Sequence, residues 1–408
     1  MTCVDALLVA TCLLSAAPTS ATLKGVVHDA DGKPIAGVRV DIATAAPRVG
    51  QGMFCPSCYL DCKKWTRTDN EGKFEIAALD PTLKFRILVT LAGKVAQLTS
   101  LVDPDVDFLN VTLKDLPTDL PAERIIRGKI VDDLGLAIEG ALIEPEGAKT
   151  LDRRWWGQVR GVQPSASDSE GRFVIPLPEG FQGLDVEVTA DGHAGASVAL
   201  LTAGEQEHRI TVPTGTRVRG KIVHGGKPVV GATVAVVQTE RAMDHHFIKA
   251  VTDTSDRNGS FTFSYLPANE EYVIYSIVGE GTQNYVMTTK RFKAKGNHQE
   301  RDLGSLETIP AMRLAGRMEA PEGTKLPRGI KLSLGREPAW DLISVPVDSE
   351  GNFAIDGLPP ETYQVRLVAK KTSIDGTRLP FQMLGENQFG IRLRQSVEDL
   401  VIPIEVQN

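Results

Sequence analysis

Asp69-Asn70-Glu71-Gly72-Lys73-Phe74 returns as Asp168-Ser169-Glu170-Gly171-Arg172-Phe173, as Asp256-Arg257-Asn258-Gly259-Ser260-Phe261 and as Asp348-Ser349-Glu350-Gly351-Asn352-Phe353. The copies stand roughly ninety to a hundred residues apart, the mark of an internal repeat. Each hexapeptide reads as a hairpin. Asp accepts hydrogen bonds from the backbone two residues on, Gly supplies a left-handed residue, and Phe opens a strand that faces the core.

Working outward, each hairpin is preceded by a short alternating strand with Gly at one fixed place. These are Leu23-Lys24-Gly25-Val26-Val27, Ile126-Arg127-Gly128-Lys129-Ile130, Val218-Arg219-Gly220-Lys221-Ile222 and Leu314-Ala315-Gly316-Arg317-Met318. A Gly-rich turn and a second strand follow, as in Gly32-Lys33-Pro34 with Gly37-Val38-Arg39-Val40, Gly135 with Gly140-Ala141-Leu142, and Gly226-Lys227-Pro228 with Gly231-Ala232-Thr233. In the fourth copy this turn is looser, around Leu326-Pro327-Arg328-Gly329. After the hairpin come turns such as Leu79-Asp80-Pro81, Leu266-Pro267 and Leu358-Pro359-Pro360. A last strand follows, for instance Phe85-Arg86-Ile87-Leu88-Val89 or Tyr272-Val273-Ile274-Tyr275. No stretch carries helical periodicity. The chain is therefore all-β, with four tandem antiparallel β-sandwich domains at 22–116, 124–213, 216–308 and 312–408, the last divergent. The linkers hold Pro117, Pro121, Pro213 and Pro310, which limit bending.

This order of strands and turns resembles the carboxypeptidase regulatory-like domain in a repeat protein of bacterial type. The resemblance covers nearly the whole chain after residue 21. It implies a transthyretin-like, seven-stranded Greek-key fold, Ig-like in outline, and an accessory or binding module outside the cytoplasm. It does not imply peptidase chemistry, since fold alone does not fix function.

The N-terminus fits export. Ala6 to Ala17 is a short apolar run and Thr19-Ser20-Ala21 a small-residue cleavage stretch, so residues 1–21 read as a signal peptide. The segment departs from the usual pattern in carrying Asp5 and no Lys or Arg before the run; Cys12 as a lipid-modified residue is the lesser reading. No later segment is apolar for long enough to span a membrane as a helix. The expected location is secreted, periplasmic or cell surface. Net charge is −7 with both signs mixed, and no basic patch suggests nucleic acid.

The copies differ most between the second strand and the hairpin. This segment holds Cys55, Cys58, Tyr59, Cys62 and Trp65 in copy one, and Arg153, Arg154, Trp155 and Trp156 in copy two. It holds His245, His246 and Phe247 in copy three, and Arg336 and Trp340 in copy four. All four Trp of the chain lie here. Two readings stand: ligand-contacting loops, or aromatic caps over the open end of each sandwich. Cys55, Cys58 and Cys62 form a local disulfide, Cys55–Cys62 or Cys58–Cys62, whose leftover thiol is available to a partner chain. The alternatives are a redox dithiol and a zinc site completed by His28. His245 and His246 are a solvated pair rather than joint metal ligands, because adjacent residues on a strand face opposite ways.

Gly-x-Ser-x-Gly, His-Glu-x-x-His and phosphate-loop motifs are absent. No cofactor is implied. The function expected is adhesion, scaffolding or ligand binding through loops, without catalysis, toward an extracellular protein or glycan. A carbohydrate-binding protein of starch-binding type and an accessory subunit of a secreted peptidase are the alternatives.

Overall fold

The computed structural model describes residues 20–49, 59–117, 119–240, 251–278, 284–327, 329–336, 339, 342–345, 347–369 and 372–406. Nearly all of the expected signal peptide and the expected sites at Cys55, Cys58, His245, His246 and Trp340 lie outside these residues. Among the described residues the helical content is three single 3-10 turns, at Leu60–Lys63, Ala122–Arg124 and Gly376–Arg378. The chain forms tandem β-sandwiches grouped in two compact units. One comprises residues 1–131, 137–186 and 200–210; the other comprises 132–136, 187–199 and 211–408.

The first sandwich shows the plan. Its strands are β1 (Ala21–His28), β2 (Arg39–Pro47), β3 (Trp65–Arg67), β4 (Lys73–Leu79), β5 (Leu83–Thr90), β6 (Gln97–Leu98) and β7 (Phe108–Thr112). One sheet runs β4-β1-β7 and the other β3-β2-β5-β6. Alternating residues from both sheets, Leu23 and Val27, Val40 and Ile42, Phe74 and Ile76, Phe85 and Ile87, meet in one dry core, each large side chain contributing about 1.5–3 kcal/mol on burial. The third and fourth sandwiches close around cores of their own.

β1 pairs antiparallel with β4 but parallel with β7. The first strands of the third and fourth sandwiches, Thr216–His224 and Met312–Glu319, likewise take a parallel final partner, Glu300–Glu307 and Val397–Val406. Alternation of apolar and polar residues is the same in either direction, so it does not announce a parallel neighbour.

The repeated hexapeptide is the hairpin expected. Asp69 Oδ1 accepts from the backbone N–H of Glu71 and of Lys73, both at 2.9 Å, and the Gly72 N–H donates to the Asp69 carbonyl at 3.0 Å. Asp168, Asp256 and Asp348 repeat this geometry. Gly72 has φ +71°, and a Cβ there would lie 2.4 Å from the Val27 carbonyl oxygen, so the position excludes side chains twice over. The two sequence signatures turn out to be one contact. Gly25 pairs across the sheet with Phe74, Gly128 with Phe173, Gly220 with Phe261 and Gly316 with Phe353. In the first three pairs the ring lies over the glycine, where a Cβ would be within 2.5–2.7 Å of it.

A buried hydroxyl just before the Asp joins hairpin to turn. Thr68 Oγ1 accepts from the Val38 N–H at 2.9 Å and donates to the Ile35 carbonyl at 2.7 Å. Ser167 and Ser255 do the same for the turns at Ile138–Ala141 and Val229–Ala232. The fourth sandwich has Val347 at this place. Loss of the hydroxyl clamp accompanies the loss of the regular Gly turn in that copy.

One bulge is shared. Just before the Leu that ends the Phe strand, Ala78, Tyr265 and Gly357 adopt φ of +56°, +60° and +80°, opposite a register shift in the first strand.

Within each unit, adjacent sandwiches are joined by a buried contact. In the first unit Leu88 and Ala96, with Ala43 beside them, pack on Leu142. In the second unit Ala235, Val237, Val273 and Tyr275 pack on Ala339. There Arg336, only 1% exposed, donates to the Ser276 carbonyl at 2.8 Å and stacks over the Tyr275 ring at 5.0 Å. Arg336 stands in the segment expected to vary as a loop, and it is buried.

Candidate binding surface on two sheet edges

Two of the variable segments form short strands at sheet edges. β3 pairs with β2 alone among the described strands, in the register Arg39↔Arg67, Val40↔Thr66 and Asp41↔Trp65. In the second sandwich Arg154–Trp156 pairs with Leu142–Thr150 alone, in the register Arg154↔Lys149, Trp155↔Ala148 and Trp156↔Gly147. Strand alternation then decides which aromatic rings reach solvent. Trp65 and Arg67 face outward while Thr66 points inward; Arg154 and Trp156 face outward while Trp155 points inward.

Trp65 is 42% exposed and carries the Arg39 guanidinium 4.2 Å from its ring centroid, with that of Arg67 at 5.9 Å. Arg39 is held by Asp41 across 2.9 Å, and Arg67 donates to the Gly37 carbonyl at 3.0 Å. The ring is thus fixed from both its strand and its neighbour, and its stacked face is covered by a planar cation. Trp156, 41% exposed, has the Arg154 guanidinium 5.4 Å from its ring. Arg154 is anchored below by Asp185, which is 0% exposed: the pair meets at 2.5 and 3.2 Å, and Asp185 also accepts from the Leu200 N–H at 2.8 Å. A buried carboxylate needs such a partner, so Arg154 serves the fold as well as the surface.

Trp155 behaves differently. It meets Phe181 edge to face at 6.0 Å, half buried, with the exposed Arg153 guanidinium 4.7 Å from its ring. This is the capping arrangement, one residue away from the exposed one. Tyr59 and Cys62 pack against the core of the first sandwich from the 3-10 turn beside β3. Burial pushes the Cys62 thiol up to about 11, so at neutral pH it is protonated and a weak nucleophile. Cys55 and Cys58, needed for the expected disulfide, lie outside the described residues, as do His245, His246 and Trp340. His28 hydrogen-bonds Asn110 and the Asp29 carbonyl. The described residues contain no cluster of metal-ligating side chains, and none of their helices is long and apolar enough to cross a membrane.

Sequence reading grouped these segments but missed the partners that shape them. Asp185 sits in an alternating strand and Arg39 in the strand after the first turn. Only the cross-strand register brings either beneath a Trp.

No family model and no curated protein matches the chain. Among solved structures it is similar to the Bacillus anthracis TIE protein, at 12% identity over 92% of this chain and 68% of that one, with a TM-score of 0.21. It is also similar to GBS52, the minor pilin of Streptococcus agalactiae (13% identity, 47% of this chain, 97% of that one, TM-score 0.25). A streptococcal ancillary pilin gives 13% identity, 71% and 99% coverage and a TM-score of 0.26. Scores of this size assign no function.

Proposed function

We propose that the chain is an exported, non-catalytic binding scaffold that holds extended protein segments along the edges of its sandwiches. The observation that carries this reading is the Arg39–Trp65 stack on β3. An edge strand offers open backbone donors and acceptors to a further strand, and Trp and Arg are the side chains that most often dominate binding between proteins. The same observation weighs against the glycan reading at this edge, because Arg39 covers one face of the ring and the Arg67 guanidinium lies 5.9 Å from its centroid, leaving less ring for a sugar to stack on. Trp156 with Arg154 repeats the arrangement one sandwich later, so two such edges add avidity for a partner long enough to reach both. Export rests on the reading of residues 1–21. The seven strands of the first sandwich accord with the carboxypeptidase regulatory-like resemblance, whose modules act beside enzymes rather than as enzymes.

The test is a selection of extended peptides from a random display library against the full chain, followed by titration of the best binder. Trp65→Ala and Trp156→Ala, singly and together, are expected to weaken binding at least tenfold while the melting temperature moves by no more than a few degrees. Retained affinity in the double variant would place binding elsewhere and end this reading.

A further inference from the structure

The third sandwich carries a second surface, unlike the edges. A groove of about 330 Å³ opens beside the bulge at Tyr265, lined among others by Thr214, Arg217, Ser264, Tyr265, His298 and Glu300. Tyr265 is 48% exposed. Among the described residues no side chain stacks on its ring, in contrast to Trp65. Its φ of +60° is one that bulky L residues avoid. The same bulge takes Gly357 in the fourth sandwich and the smaller Ala78 in the first. Folding alone would favour the glycine. A tyrosine kept in a strained, exposed position, with its ring bare at a groove, is where strain serves contact rather than stability.

The groove walls suit one ligand class. Arg217 and Glu300 are neighbours across the parallel ladder, so their formal charges cancel. The ion pair of Glu300 is with Arg219, at 3.0 Å, and His298 meets Asp133 at 3.0 Å. Asp133 is held below the ordinary carboxyl range: burial alone would raise it, and hydrogen bonds from the Thr214 hydroxyl, from the N–H of Asp133 itself and from the Thr214 N–H, with His298 beside it, outweigh burial. Hydroxyls, a carboxylate, a guanidinium and an imidazole thus ring one free aromatic face with little net charge. We propose that this groove binds a neutral oligosaccharide, one pyranose ring lying on Tyr265 and its hydroxyls bonded to the polar wall. The site shares no residue with the two Trp edges, and either can fail without the other.

The probes are maltoheptaose, cellohexaose and chitohexaose titrated into the full chain by calorimetry, with backbone amide shifts followed by NMR. One of the three is expected to bind and to shift amides within 214–217, 264–266 and 298–300. Tyr265→Phe keeps the affinity. Tyr265→Gly lowers it at least tenfold while the melting temperature holds or rises, since the bulge then matches that of the fourth sandwich. The proposal is overturned if none of the three binds, if the shifts fall outside these segments, or if Tyr265→Gly binds as tightly as the parent chain.

Discussion

The two buried joints solve the same problem with opposite chemistry. In the first unit Leu88, Ala96 and Ala43 meet Leu142 in an apolar patch. In the second unit the apolar patch around Tyr275 is crossed by Arg336, which is fully buried. Its guanidinium also faces Glu361 at 3.8 Å, and Glu361 accepts a hydrogen bond from the Thr289 N–H. Apolar contact is non-directional, so a Leu–Ala patch tolerates a small slide. A buried guanidinium does not, because its hydrogen bonds are lost as soon as the partners shift, and the cost of an unpaired buried charge is large. The first joint holds its sandwiches together; the second also fixes their register.

The sharpest way to break this contrast is to remove the charge. Arg336→Ala leaves the largely covered Glu361 without its cation and is expected to cost about 3–5 kcal/mol, read as a lower and earlier transition of the second unit in calorimetry. Arg336→Met with Glu361→Gln removes both charges and should recover most of that loss. A single variant that melts like the parent chain would show the pair to be idle. At the first joint Leu88→Ala is expected to cost about 2–3 kcal/mol and to respond little to salt. A double-mutant cycle with Leu142→Ala should give a coupling of about 0.5–1 kcal/mol. No coupling would mean that the two side chains do not share a joint at all.

Much of this fold was legible because its signals are local. The Asp-x-x-Gly-x-Phe hairpin and the strand Gly each announce themselves in a few residues, and the structure shows them to be partners, Phe74 lying on Gly25. The joints were legible too, had strand alternation been followed to the places where it stops. Val234 to Gln238 and Tyr272 to Ser276 are buried on both faces, and a strand without polar alternation is one covered on both sides. β5 shows the change within itself: Arg86 is exposed, while Ile87 to Thr90 are all buried where Leu88 meets its joint. The site was less legible. Which Trp is exposed depends on a one-residue phase that flips every side chain, so Trp155 and Trp156 read alike in sequence and differ in space. The Asp185 beneath Arg154 is thirty-one residues away from it in the chain, and no local pattern couples them.

The smallest effect expected separates the two things Arg336 does. Its contacts with Ser276 and Glu361 are hydrogen-bonded or ionic, while its stack on Tyr275 is a cation over an aromatic ring. Tyr275→Leu keeps an apolar side chain against Ala235, Val237 and Ala339 but removes the ring face. The loss should then be about 0.5–2 kcal/mol, well below that of Arg336→Ala. The same substitution in an Arg336→Met, Glu361→Gln background should cost less still, because no cation remains to be stacked. Equal losses in the two backgrounds, measured by urea unfolding, would show that Tyr275 acts through packing alone. The second joint would then differ from the first through the ion pair and hydrogen bond of Arg336, without help from the ring.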